Sequence, residues 1–115
     1  AVYTPGHTPG GVSWTWRSCA AGECRQFVYA DSLGPVAGDS YRFGNGAADQ
    51  VRASAAAIAE LDCDILLAPH PFLFRMQEKL EQGADAFIDG SECAAYAEAA
   101  LASLERRLLR EANSE

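Results

Sequence analysis

A chain of 115 residues has room for one small domain, and with 49% apolar and 22% charged residues it is composed to fold around a core rather than to stay disordered. Its formal net charge of −7 repels phosphate backbones and anionic lipid alike, so neither nucleic acid nor a lipid surface is an expected partner. No apolar run reaches the roughly 18 residues a membrane span needs.

Residues 1–11 are rich in Pro, Gly and Thr and read as a loop. Residues 12–17 (Val12-Ser13-Trp14-Thr15-Trp16-Arg17) alternate apolar and polar, the period of a half-buried strand. Residues 25–30 form a second β-prone run, and residues 18–24 between them, with Gly22, fit a hairpin turn. Residues 31–46 are broken by Gly34-Pro35, Gly38-Asp39 and Gly44-Asn45-Gly46 and read as a long loop. Residues 47–61 are alanine-rich and free of Gly and Pro, which predicts a helix with Val51, Ala55 and Ile58 on one face. Residues 64–68 read as a short buried strand, bounded by Pro69, whose end delivers His70. A short helix is expected over residues 72–82, stopped by Gly83. Ser91 is a good N-cap for a last helix over residues 92–112. Ala97, Leu101, Leu104 and Leu108 lie on one face of it, and Glu98, Glu105, Arg106 and Arg110 largely on the outer face. Hairpin, helix, strand, helix, helix, with no repeat and no linker, is one α/β unit.

Cys19, Cys24, Cys63 and Cys93 are an even set that allows two disulfides in three pairings. Cys19 and Cys24 suit a bridge across the hairpin mouth, which would leave Cys63 with Cys93. Disulfides need an oxidising compartment, so a periplasmic or secreted protein is favoured. Four free thiols in a cytosolic protein, or a structural zinc site, remain open, although Cys63 and Cys93 lack zinc-knuckle spacing. A redox pair at Cys19 and Cys24 lacks the Cys-x-x-Cys spacing. The opening residues 1–6 show neither the basic stretch nor the apolar core of a signal peptide, which fits a mature start or a piece of a longer protein.

The two histidines, His7 and His70, both lie among helix breakers, in Thr4-Pro5-Gly6-His7-Thr8-Pro9-Gly10-Gly11 and Ala68-Pro69-His70-Pro71. Proline stiffens such a loop and glycine lets it turn sharply, so an imidazole can be aimed and held. Neutral imidazole is a common zinc ligand; the plain alternative is that each histidine merely finishes a turn. Ser32 follows Asp31 at a strand end, where sites are often assembled. Ser32 could hydrogen-bond a metal-associated water, Asp31 could be an oxygen ligand, and the plain alternative for both is an ordinary turn.

Taken in order, Gly6-His7-Thr8-Pro9-Gly10-Gly11, Ser13-Trp14-Thr15-Trp16, Tyr29-Ala30-Asp31-Ser32-Leu33 and the segment from Cys63 through Ala68-Pro69-His70-Pro71 resemble the C-terminal half of a metallo-β-lactamase of subclass B3. The first element alone points only to the superfamily; the Asp-Ser-Leu and Pro-His-Pro elements point to the subclass. The resemblance implies an α/β fold that is half of a four-layer αβ/βα sandwich, with residues 1–115 its C-terminal part. It implies His7 and His70 as ligands in the first and second zinc sites of a two-zinc enzyme. Ser32 then stands where other subclasses carry a zinc-binding cysteine, and is not itself a ligand. It also implies the Cys63–Cys93 disulfide and, as in some members, the Cys19–Cys24 bridge. The implied activity is hydrolysis of the β-lactam amide of antibiotics, hence resistance, with zinc activating water and polarising the carbonyl.

The family's His-x-His-x-Asp-His motif, which supplies the remaining ligands, occurs nowhere in the 115 residues. Gly34 stands where several members have a hydroxyl that helps hold the substrate carboxylate. The chain alone is therefore expected to bind zinc weakly, to hydrolyse nothing, and to expose the sheet face that its N-terminal half would cover, leaving a monomer poorly soluble. Rival readings are a thioesterase of the glyoxalase II type, with Asp31 bridging two metals, and a non-catalytic extracellular α/β module.

Overall fold

In the computed structural model, which describes residues 1–34, 43 and 46–113, four strands form one sheet in chain order: β1 (Val2–Tyr3), β2 (Val12–Ala20), β3 (Glu23–Tyr29) and β4 (Ile65–Leu67). The alternation of residues 12–17 does make a strand, and it runs on to Ala20. The hairpin is tighter than the expected 18–24 turn. Only Ala21 and Gly22 turn, at φ 53° and 80°, the two positive angles that a two-residue hairpin of right-handed twist requires. Cys19 and Cys24 thus lie directly opposite each other and form a disulfide.

β1 falls inside the expected loop. Thr4 N–H donates to Gly11 O at 2.9 Å and closes that loop, laying Val2 and Tyr3 beside Ser13 and Val12. Two residues are too few to show a period in sequence. β4 runs parallel to β3, which demands a crossover connection; α1 (Ala47–Ala59) lies in it. Asp64 fixes the register at its start, its Oδ2 accepting from Gln26 N–H at 2.8 Å while its own N–H donates to Gln26 O at 2.9 Å. Of the loop predicted over residues 31–46, all but residues 31–34, 43 and 46 lie outside the described residues.

The helix expected over residues 72–82 is two pieces. Pro71–Phe74 is a 3-10 turn, and α2 (Met76–Gln82) follows after Arg75, whose φ of 55° and ψ of 44° put it in the left-handed region and break the run. Gly83, at φ 110°, ends α2 as expected. α3 (Glu92–Asn113) begins beside Ser91, whose carbonyl accepts from Ala95 N–H. Ser91 is not the side-chain cap predicted: its hydroxyl and N–H both donate to Asp89 Oδ1, and these two bonds hold the Asp89 carboxyl below the usual carboxylate range.

Helices α1 and α3 cover one face of the sheet. Val28 and Leu66, cross-strand neighbours, point into a core with Ala55, Ile58, Tyr96 and Ala97, and the Cys63–Cys93 disulfide is buried there. No described cysteine is free, which removes the free-thiol and four-cysteine zinc readings. The buried stripe of α3 is rotated from the one its leucines suggest. Cys93, Tyr96, Ala97, Leu104, Arg107 and Glu111 are buried, while Leu101 is 37% exposed. Arg107 and Glu111 enter the interior as a pair, 3.0 Å apart, with Glu111 also accepting from Phe43 N–H and the Arg107 guanidinium over the Phe43 ring.

The other face carries Trp14, Tyr29 and Leu67 in one cross-strand row and Trp16, Phe27 and Ile65 in the next. Trp16 stacks on Phe27 with ring centroids 5.3 Å apart. Trp14 is 54% and Trp16 41% exposed. The molecule is thus one sheet with one helical layer, and measures 57 × 28 × 18 Å.

Candidate metal centre

The His7 loop is built on two glycines that nothing else replaces. A Cβ on Gly6, at φ 134°, would lie 2.6 Å from Val51 Cγ2 and 2.9 Å from Val51 N, so only glycine lets the loop rest on α1. A Cβ on Gly11 would meet Thr4 O at 2.5 Å. Ser54 of α1 donates to Pro5 O at 2.6 Å, and Gly6 N–H donates to Thr8 O at 3.1 Å. Buried Thr4 and Ser13 share a hydrogen bond of 2.8 Å, and Ser13 Oγ also accepts from Asp31 N–H at 2.9 Å. That chain of hydroxyls ties the His7 loop to the strand end that presents Ser32.

His7 is half-buried, and its Nδ1 lies 2.7 Å from Gly34 O. A carbonyl only accepts, so Nδ1 is the donor here, and in the neutral ring Nε2 is then the nitrogen with the free lone pair. A backbone carbonyl holding one ring nitrogen while the other stays available is the outer-shell arrangement of metal-binding histidines.

The Asp31-Ser32 step is set by its own backbone. Asp31 Oδ1 accepts from Ser32 N–H at 2.8 Å, and Tyr96 Oη donates to Asp31 O at 2.8 Å. Burial, reinforced by the nearby Asp31 carboxylate, pushes the Tyr96 phenol above its ordinary range and keeps it a donor. Asp31 Oδ2 faces the backbone at Gly11, and Asp31 is not among the residues around the cavity described next. A metal-bridging Asp31, which the thioesterase reading needs, finds no support in this orientation.

His70 stands at the exit of β4. The residue before a proline is driven out of the helical region, and His70 is extended at φ −114°, ψ 126°, just ahead of Pro71 at the first position of the 3-10 turn. Its carbonyl accepts from Leu73 N–H at 3.0 Å, and its ring stacks on Phe72 at 5.7 Å.

His7, Ser32 and His70 line one cavity of about 820 Å³. Residues that sequence reasoning did not assign to a site complete its wall: Phe72 and Leu73 after β4, and Ser103, Arg106, Leu109 and Arg110 of α3. Arg106 and Arg110 are exposed on the outer face as expected. The signal that would have singled them out is the spacing of 103, 106 and 110, one stripe of a helix.

A closed zinc site takes four ligands. Among the described residues no three His, Cys, Asp or Glu side chains gather to hold a metal. The two imidazoles fit a zinc centre in donor type and, at His7, in tautomer; among the described residues they would not by themselves complete one.

No protein-family model matches the chain. Solved structures do. Against the metallo-β-lactamase SMB-1 bound to 2-mercaptoethanesulfonate the identity is 43% and the TM-score 0.86, over 95% of this chain and 44% of that one. For the Rm3 metallo-β-lactamase the values are 40%, 0.91, 95% and 44%. For MEM-A1, a subclass B3 metallo-β-lactamase from a soil metagenome library, they are 42%, 0.89, 98% and 46%. By fold and by sequence the chain belongs with the metallo-β-lactamases. Within them it matches subclass B3, and it spans less than half the length of these relatives.

Proposed function

We propose that this chain is the C-terminal part of a zinc-dependent β-lactam hydrolase of the periplasm or the secreted space, residues 1–115 forming one part of the sandwich. His7 and His70 are ligands in a centre of two zinc ions, and a His-x-His-x-Asp-His segment outside this chain supplies the rest. The observation that carries the reading is the convergence of His7, Ser32 and His70, distant in sequence, on one cavity. One relative, SMB-1, solved in two complexes, with 2-mercaptoethanesulfonate and with mercaptoacetic acid, supports it, because a thiol is a soft metal ligand.

Zinc, when bound, activates water at neutral pH and polarises a carbonyl oxygen. The chain's own residues do the positioning. The Gly34 carbonyl fixes the tautomer of His7. Ser32 offers a hydroxyl to hold water or substrate in the cavity. Phe72 and Leu73 give an apolar wall against which the electrostatics strengthen. No side chain is required as a nucleophile.

The test joins this chain behind the N-terminal part of Rm3 and assays nitrocefin with zinc. Turnover that is abolished by a chelator, and lowered at least about a hundredfold by His7→Ala or His70→Ala, is expected. A folded, zinc-loaded chimera that leaves nitrocefin intact overturns the reading. The 115-residue chain alone binds zinc weakly and turns nothing over; hydrolysis above background by it would contradict the fragment assignment.

A further inference from the structure

The stripe Ser103, Arg106, Arg110 brings two guanidiniums, one helical turn apart, to the cavity that His7 and His70 share. Among the described residues lining it, these two are the only Lys, Arg, Asp or Glu side chains, in a chain whose net charge is −7. The positive charge there is therefore local. Neither arginine pairs with a carboxylate among the described residues, whereas Arg52, on α1, pairs with Asp49 and Glu105. Arg106 instead donates to Ser103 Oγ at 3.0 Å, which holds its guanidinium along the stripe. Leu109 beside them is apolar, and Gly34, also in the lining, has no side chain to offer an anion.

We propose that Arg106 and Arg110 form an anion-holding subsite that takes the carboxylate of the lactam substrate and so orients the amide towards the histidines. This deepens the hydrolase reading and rests on it for the identity of the ligand. The chemistry suits the task. Penicillins carry a carboxylate next to the lactam nitrogen, and the planar guanidinium fork matches a carboxylate bidentately. An exposed single pair is worth little, but two guanidiniums that pair with no carboxylate among the described residues act together on one anion beside apolar walls.

The experiment titrates benzylpenicillin and its uncharged methyl ester into the chain with a chelator present, so that no metal holds the acid, and follows the amide signals of α3 by NMR. The acid is expected to bind about tenfold more tightly than the ester, a difference of about 1.4 kcal/mol, and R106Q/R110Q to remove that preference. Both arginines are exposed, so the variant keeps its fold. Equal affinity for acid and ester, or a preference that survives in R106Q/R110Q, overturns the proposal. In the chimera the same variant should raise KM about tenfold with kcat within about twofold; an unchanged KM also overturns it. If the arginine-dependent preference is found and the chimera hydrolyses nothing, the subsite stands and the hydrolase reading falls.

Discussion

Gly6 decides where His7 sits, because any side chain there collides with Val51 on α1 and also suffers a φ of 134°. Gly6→Ala should cost about 1–3 kcal/mol of stability in a urea melt, and in the chimera should lower zinc affinity by shifting the His7 loop. A variant of wild-type stability and zinc affinity would mean that the loop is not seated by this contact. That His7, Ser32 and His70 share one cavity was foreseeable from the sequence, because stiff Pro and Gly flanks mark the histidines, Ser32 follows a strand end, and the motifs recur in a known order. Arg106 and Arg110 were not, because an arginine on the outer face of a helix looks the same whether it meets water or a cavity. Arg107 and Glu111 were missed for the reverse reason: a charge pair four residues apart reads as solvated, and here it is buried against Phe43.

The join between α2 and α3 is electrostatic. Glu92, 6% exposed, accepts from Arg75 at 2.6 Å and lies 3.1 Å from the buried ammonium of Lys79. Lys79 Nζ also faces the rings of Phe74 and Phe87 at 5.4 and 5.7 Å. That Glu92 contact has ion-pair distance without hydrogen-bond geometry, which leaves Lys79 Nζ otherwise unsatisfied. Glu92→Ala strands the ammonium in an apolar site and should cost about 3–5 kcal/mol, whereas the double replacement Glu92→Met/Lys79→Met, which removes both buried charges at similar volume, should be near neutral. Chemical denaturation of both variants checks this; equal losses would show that the lysine does not depend on its partner. Periodicity and breakers revealed the hairpin, α1, β4 and α3 in order, since each obeys local rules. The break at Arg75 and the two-residue β1 escaped, because one is held by a distant carboxylate and the other by a loop closure.

One sheet under one helical layer is an unfinished architecture. The radius of gyration, 15.4 Å, exceeds the roughly 13 Å expected of a domain this size, and among the described residues no second layer covers the aromatic side of the slab. That half of the design was foreseen from the motif content, which named a sandwich with one part missing. The sequence alone could not say which tryptophan face would be left bare, since alternation defines two faces without ranking them. Tyr3, Trp14 and Trp16 remain in water, so the isolated chain should self-associate through them. Light scattering behind gel filtration should show this, with Trp14→Ser/Trp16→Ser restoring a monomer; a wild-type monomer at high concentration would refute it. The bare face also makes folding a matter of mass action. Any layer that closes it binds the native form alone, so each tenfold excess of that layer over its dissociation constant adds about 1.4 kcal/mol to stability. The melting temperature of this chain is then a property of its company and dose, not a constant of the polypeptide.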